Sequence, residues 1–182
     1  MIKKILLLAI VVIVVVVAIG CVVVALQPAH YRVERSATMN APAPVVFSQV
    51  NDFHKWDAWS PWAKLDPNMK TSFEGAAAGN GAVYSWIGNS DAGEGRMTIT
   101  DSKPSELVKI KLEFIKPFAQ TALTNFSFKP QGNQTAVTWT MEGENNFVGK
   151  AFCLFINMDK MVGGDFEKGL AQMKTVAEQT AQ

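Results

Sequence analysis

Few side chains of this 182-residue chain are of a type and in a place to make or break covalent bonds. A Ser/His/Asp or Cys/His nucleophile needs a histidine in the body of the fold. The two histidines are His30, just after an apolar N-terminal run, and His54, before a cluster of tryptophans. His54 is more simply interpreted as a surface histidine on a short helix. The sequence therefore predicts no catalytic residue set.

The spacings that bind metal ions or phosphates are also missing from the sequence. Cys21 and Cys153 lie far apart, and there is no His-x3-His pair and no calcium-type loop of alternating Asp and Asn. The glycine-rich segment 75–81 lacks the Lys-Ser/Thr of a phosphate loop and does not precede a helix, so we interpret it as a mobile connection between strands that can gate a cavity. We expect no metal, no cofactor and no disulfide framework.

The charge balance excludes nucleic acid as a partner. The chain has 17 basic and 16 acidic residues, a formal net charge of +1 and only three arginines. A surface that follows nucleic-acid phosphates needs a clear excess of basic side chains. Arg96 and Glu94, beside a second glycine-containing loop, are expected to be solvated ion-pair residues and not a head-group site.

An uninterrupted apolar run fills the N-terminal region. The 22 residues Ile5–Leu26 contain no charge and no polar amide, and as a helix they would span about 33 Å at ~1.5 Å per residue, enough to cross a membrane. Lys3 and Lys4 keep the N-terminus in the cytoplasm by the positive-inside rule. We expect a cytoplasmic start (1–4), a transmembrane helix (5–26), a tether (27–30) and an extracytoplasmic domain (31–182).

Two processing alternatives stay open for the same run. A basic start followed by an apolar stretch is also the pattern of a secretory signal. Ala18-Ile19-Gly20-Cys21 is similar to a bacterial lipoprotein cleavage box, although the chain after Cys21 continues apolar where a lipoprotein has a polar tether. We prefer an uncleaved single-pass anchor in the inner (cytoplasmic) membrane, and all three interpretations place the domain on the periplasmic side.

After the tether the pattern predicts one strand and two short helices. Residues 31–39 alternate like a strand, and the Asn and two prolines within 40–44 supply a cap and first turn for a helix through about Val50. A second short helix should end near Ser60. Its aromatic side chains either pack in the core or stand at a pocket entrance facing the bilayer. These aromatic residues are Trp56, Trp59 and Trp62.

The middle of the chain is patterned as a series of strands with short connections, which implies antiparallel neighbours in a meander. The six strands are expected at 69–73, 82–87, 96–100, 108–114, 121–128 and 135–142. The alternation predicts which side chains face the interior. These are Tyr84, Trp86, Met97, Ile99, Val108, Ile110, Leu112, Phe114, Ala122, Thr124, Phe126, Phe128, Val137, Trp139 and Met141.

The C-terminal segment returns to helical spacing. We predict one long amphipathic helix from Phe147 to about Ala181. Its apolar stripe is Phe155, Met158, Val162, Phe166, Leu170, Met173 and Ala177. Gly163-Gly164 interrupts the middle and permits either a bend or a close backbone approach. One long helix against one curved sheet, both with apolar inner faces, leaves a hollow between them.

Several segments together resemble the polyketide cyclase/dehydrase-like branch of the START and Bet v 1 superfamily, the SRPBCC proteins. These segments are Asn51-Asp52-Phe53, Trp59-Ser60-Pro61-Trp62, Leu112 to Phe118, Thr138 to Gly143 and Asp159 to Gly163. The resemblance implies a bacterial origin and an α+β helix-grip fold, with a curved antiparallel sheet wrapped around a long C-terminal helix. It also implies a cavity for lipids, sterols, polyketides or other apolar molecules. Since no single catalytic set defines the superfamily, it brings no catalytic positions to this chain.

We expect a membrane-tethered domain that binds a lipid-like or other hydrophobic small molecule by burying it. The residues expected to line the cavity are Tyr84, Trp86, Phe114, Phe126, Trp139, Met141, Met158, Val162 and Phe166. One alternative is a protein-interaction or envelope module with a filled core. Another is a cyclase- or dehydratase-type enzyme on a polyketide-like substrate, for which Tyr84, Glu142 or His54 would be the polar candidates.

Overall fold

The computed structural model describes residues 2–181, which form two compact units. The first unit contains the chain through Tyr31 together with Glu144–Asn157, and the second contains Arg32–Gly143 and the chain from Met158 onward. In chain order the elements are α1 (Ile2–Ala25), β1 (His30–Met39), α2 (Ala43–Asn51), a 3-10 helix (Phe53–Ala58), β2 (Lys70–Gly75), β3 (Ala82–Ile87), β4 (Glu94–Lys103), β5 (Leu107–Lys116), β6 (Gln120–Gln131), β7 (Gln134–Glu144), α3 (Phe147–Cys153) and α4 (Met158–Thr180).

The first unit is built on α1. By length and composition its segment Lys3–Ala25 is long and apolar enough to be a membrane span or a signal anchor. The short helix α3 lies against α1. Asn146 begins α3, because its side-chain oxygen accepts a hydrogen bond of 2.9 Å from the backbone N–H of Gly149.

The single C-terminal helix expected from Phe147 is instead two helices, so that expected boundary is wrong. The chain turns between α3 and α4, where the backbone N–H of Phe155 bonds to the carbonyl of Phe152, three residues back, at 3.0 Å. Phe155 therefore lies outside the predicted stripe and is 89% exposed. The long helix itself is confirmed from Met158, with Phe166 and the later stripe residues buried.

The second unit contains a seven-stranded sheet in the order β1-β7-β6-β5-β4-β3-β2. The strands from β2 to β7 pair as consecutive antiparallel neighbours, which confirms the predicted meander. β1 adds to the far side of β7. Its Ser36 hydroxyl is 2.8 Å from the Thr138 hydroxyl, and the carbonyl of Ala41 accepts from the Thr135 hydroxyl at 2.8 Å. The order of these contacts makes β1 antiparallel to β7.

The helices of the second unit cover one face of the sheet. Phe47 of α2 contacts Phe128 of β6 with 5.5 Å between ring centroids, and Trp56 of the 3-10 helix contacts Phe126. Phe166 of α4 stacks on Trp139 of β7. The opposite face carries exposed side chains such as Leu123. The predicted inward phase of the strands is confirmed, because each of its members is buried or half-buried.

Candidate ligand-binding site

The inner face of the sheet changes from closed to partly open along the strands. Strand pairing aligns its residues in rows, and the two rows nearest one end are Tyr84, Met97, Leu112, Ala122 and Gly143, then Trp86, Gly95, Phe114 and Gln120. Four large side chains in these rows, Trp86, Met97, Leu112 and Phe114, are half-buried. We call them the half-open end. Further along the same strands Ile110, Phe126 and Val137 are buried.

The direction of α4 along this face follows from its polar contacts with β1. Arg35 donates to both carboxylate oxygens of Asp159, at 2.9 and 3.0 Å, near the start of α4. The backbone N–H of Asn40 donates to Glu178 near its end at 2.6 Å. Arg35 therefore lies beside the N-terminal part of α4, and Asn40 lies beside its C-terminal part.

The start of α4 lies toward the half-open end. Ser36 of β1 lies opposite Thr138 of β7. From Thr138, β7 runs toward Gly143, which pairs with Ala122 in one of the two rows that contain the half-open end. Because β1 is antiparallel to β7, the half-open end lies on the N-terminal side of Arg35. Met158 and Val162, in the first turns of α4, are half-buried on that side.

Arg35 attaches the N-terminal part of α4 to β1. Besides Asp159, its Nε donates to Glu167 at 2.7 Å, and its guanidinium also donates to the Asp159 carbonyl. These bonds raise the pKa of Arg35, and the hydrogen bond from Arg35 lowers the pKa of the Asp159 carboxyl. A Cβ on Gly163 would collide with this guanidinium, whereas a Cβ on Gly164 would have open space.

The sequence left two interpretations of Gly163-Gly164, a bend or a close approach. The helix is continuous from Met158 to Thr180. Gly163 is the place where a charged side chain crosses the helix surface, so the close approach is correct for this residue.

An aromatic cluster closes the other half of the inner face. Its members are Trp56, Trp59, Trp62, Phe126, Trp139 and Phe166. Trp139 and Phe166 stack with 3.9 Å between centroids and 8° between planes, and Trp59 meets Trp139 edge-on at 5.7 Å. Trp56 and Trp59 are buried. The tryptophans of the 3-10 region therefore belong to the core, which was one of the two interpretations of the sequence.

One polar atom of the aromatic cluster has no partner. The indole N–H of Trp56 donates to the carbonyl of Val50, and that of Trp59 donates to the carbonyl of Gln49, both at 3.0 Å. Trp139 Nε1 is buried and makes no hydrogen bond to any of residues 2–181. An unsatisfied buried donor costs about 1–3 kcal/mol, so a ligand oxygen that accepted this hydrogen bond would recover part of that energy.

Trp86 is held across the half-open end by the backbone around it. Its indole N–H donates to the carbonyl of Ala92 at 3.0 Å, and its ring lies over Gly95. A Cβ on Gly95 would collide with this ring and stand 2.7 Å from the carbonyl of Glu113. Gly95 therefore lets the ring lie flat along β4, where its edge meets Phe114 at 6.5 Å between centroids.

The glycine-rich loop 75–81 is tied to its neighbours. The backbone N–H of Gly79 donates to the Asn51 carbonyl, and that of Gly81 donates to the Ile99 carbonyl, both at 2.8 Å. The Ser102 hydroxyl holds the Asn51 side chain at 2.6 Å. These bonds favour a fixed loop over the mobile connection expected from its glycines.

The nine residues expected to line a cavity divide into two groups on this face. Tyr84, Phe126, Trp139, Met141 and Phe166 are buried, whereas Trp86, Phe114, Met158 and Val162 are half-buried. Met97 and Leu112 are half-buried beside the second group, and our cavity prediction omitted them. Strand phase had already placed both on the inner face, so that signal was sufficient to include them.

The polar candidates for an enzyme do not converge. Tyr84 faces inward on β3, and burial raises its pKa to about 12. Glu142 follows Met141 on the outer face of β7, four strands from β3, where it pairs with Arg32. His54 is exposed, lies 2.9 Å from an Asp52 oxygen and stacks on Phe73. Within residues 2–181, no group of three His, Cys, Asp or Glu side chains is placed to hold a metal ion.

The family model described as polyketide cyclase / dehydrase and lipid transport matches residues 30–178. The chain belongs to this family. Membership assigns to the domain a hydrophobic-ligand-binding or cyclase-type function and is consistent with the helix-grip architecture of the sheet and α4. No curated protein sequence matches the chain significantly.

Solved structures similar to this member of the family confirm the fold. The ZhuI aromatase/cyclase from Streptomyces sp. R1128 aligns with a TM-score of 0.63 and 14% identity, covering 84% of this chain and 96% of that one. Protein MLL2253 from Mesorhizobium loti gives 0.60 and 12%, covering 84% and 100%. Protein CV1439 from Chromobacterium violaceum gives 0.59 and 13%, covering 81% and 96%. At these identities the likeness shows the fold alone.

Proposed function

We propose that this chain is a single-pass, inner-membrane protein whose extracytoplasmic helix-grip domain binds a lipid-like or other hydrophobic small molecule. The observation that carries the proposal is the half-open end of the inner face. Trp86, Met97, Leu112 and Phe114 form an apolar surface there that α4 and the 3-10 helix do not close. Membership in a family of lipid-transport and cyclase-type domains supports the same ligand class.

The proposed mechanism is burial of apolar surface without bond-making. Removing a methylene group from water contributes ~0.8 kcal/mol, so an acyl chain of a dozen carbons reaches useful affinity with no ionic partner. The inward side chains predicted for β3 to β7 and found buried or half-buried carry no charge, which suits such a chain. The aromatic cluster would form the closed end of the site, and Trp139 Nε1 would be a donor for an oxygen on the ligand.

The proposed membrane attachment rests on α1. Its residues from Ile5 to Ala25 carry no charge, and Lys3 and Lys4 precede them. Basic residues at this end favour a cytoplasmic N-terminus and an exported domain. The anchor would keep the binding domain within reach of the bilayer, where lipid-like ligands are concentrated.

A cyclase-type reaction is not part of the proposal. Such a reaction needs polar groups that meet a substrate at one place. Tyr84 and Glu142 face opposite sides of the sheet, and His54 lies at the surface.

The proposal is tested by a matched pair of leucine substitutions. Leu112 is half-buried on the inner face, and its neighbour in the adjoining strand, Leu123, is exposed on the outer face. The solved relatives consist almost wholly of this domain, so the domain from His30 should fold without α1. Binding of a fluorescent polyene fatty acid is measured by energy transfer from tryptophan.

We expect Leu112→Gln to lower the affinity for the fatty acid by about tenfold or more. The polar amide removes an apolar contact that contributes ~1.5–3 kcal/mol to binding. Leu123→Gln should bind like the parent. Equal affinities for the parent and both variants would overturn the inner-face site, and no binding by the parent would count against a fatty-acid ligand.

A further inference from the structure

The short helix α3 exposes its apolar side chains and turns its polar ones inward. Its exposed face carries Phe147, Val148 and Phe152, and the chain continues into the exposed Leu154 and Phe155. A surface helix of a soluble domain places charged residues outward. Between Asn145 and Asn157 the sequence contains one charged residue, Lys150.

The polar contacts of α3 are on its inner side. Lys150 Nζ donates to the carbonyl of Ala25, the last residue of α1, at 3.2 Å. The amide of Asn145 donates toward Cys153 Sγ at 3.5 Å, and its backbone N–H bonds to the Ala29 carbonyl at 2.7 Å. These contacts fix which face of α3 is turned outward, and that face is the apolar one.

The same contacts fix the depth of α3 relative to a bilayer. The 23-residue segment Lys3–Ala25 is about 34 Å long at ~1.5 Å per residue, and a hydrocarbon core is ~30 Å thick. Ala25 therefore reaches the boundary between acyl chains and head groups. Since Lys150 is bonded to Ala25, its ammonium lies at head-group level, where lysine side chains normally extend.

We propose that α3 and the following turn, Phe147–Phe155, form a second membrane contact that inserts into the head-group boundary of the leaflet where α1 ends. This inference rests on the proposed membrane anchoring by α1. The ligand of this surface is the bilayer itself, because the apolar face continues directly from the end of the span. A helix lying in the interface with its apolar face in the acyl boundary is a stable arrangement.

The depth of single positions is measured by spin labelling of the full-length chain in vesicles of phosphatidylcholine and phosphatidylglycerol. Cys21 and Cys153 are first replaced by Ala, and a nitroxide is then attached at Phe155→Cys or, as a second position on the face, Val148→Cys. Val14→Cys marks the span and Lys129→Cys, on an exposed strand position, marks water. Collision with oxygen and with a water-soluble nickel chelate on both sides of the membrane reports the depth.

We expect labels at 155 and 148 to collide more with oxygen and severalfold less with the chelate than the label at 129. If they match the label at 129 while the label at 14 lies in the bilayer, the contact by α3 is disproved and the anchor stands. If the label at 14 is also in water, the anchoring itself fails. Protection at 155 from both reagents that is lost when the protein is diluted in lipid would assign the face to a second copy of the chain, which also overturns the proposal.

Discussion

At the scale of single residues, two glycines leave room for large side chains that pack beside the inner face. Gly163 admits the Arg35 guanidinium to the surface of α4, and Gly95 admits the ring of Trp86. The sequence identified Gly163-Gly164 as special but did not distinguish the two glycines. The distinction arises from Arg35, which is distant in the chain and reaches α4 only after β1 has joined the sheet.

The two adjacent glycines give a matched test of this distinction by thermal unfolding of the solubilised chain. All five tryptophans lie in the second unit, so their fluorescence reports its unfolding. Gly164→Ala should raise the free energy of unfolding by about 0.5–1 kcal/mol, because alanine loses less backbone entropy in a helix and meets open space. Gly163→Ala should lower the unfolding temperature below that of the parent, since Arg35 must leave Asp159 and Glu167. Equal stability of the two variants would contradict the role assigned to Gly163.

At the scale of elements, the strands were more predictable than the C-terminal helices. Alternation in segments such as Val108–Phe114 fixes both the strand and its inward face, because one side of each strand is buried. The helical spacing of apolar residues continues through Phe155 although the chain turns there. The apolar side chains of α3 are exposed, whereas those of α4 pack against the sheet, so one spacing pattern covers two separate helices. Asn157 ahead of Asp159 is a typical helix start and was the available signal for the boundary.

The attachment of α4 to β1 should make stability depend on pH in the acidic range. Arg35 holds the pKa of Asp159 below its usual value, so the ion pair contributes stability above the unfolded-state pKa near ~3.9. That contribution is lost as the pH falls through the folded-state pKa. Unfolding temperatures measured from pH 6 to pH 3 should therefore fall less steeply for Asp159→Asn than for the parent.

Glu178 provides an independent comparison, because Lys174 and the N–H of Asn40 also lower the pKa of its carboxyl. Glu178→Gln should also make the unfolding temperature depend less steeply on pH over this range. The two substitutions together should reduce the slope further. A parent profile that is unchanged by Asp159→Asn would show that the Arg35 contact contributes nothing to folding.

At the scale of the whole molecule, the family and the fold follow from the sequence, and the division of the inner face does not. The phase of the strands shows which side chains point inward but not how far the aromatic cluster fills the space. Trp62 illustrates the limit, because its contact with Trp139 and Phe166 depends on where the chain after the 3-10 helix meets α4. The half-open end is therefore a property of tertiary packing.

The central claim is that the domain binds a hydrophobic small molecule, and native mass spectrometry tests it most directly. The domain from His30 to the C-terminus is expressed without α1 and purified without detergent. Its mass is measured before and after organic extraction. We predict a defined apolar adduct at one molecule per chain that extraction removes and that Leu112→Gln depletes. A domain that carries no adduct, and whose unfolding temperature no lipid, sterol or polyketide raises, would contradict the account.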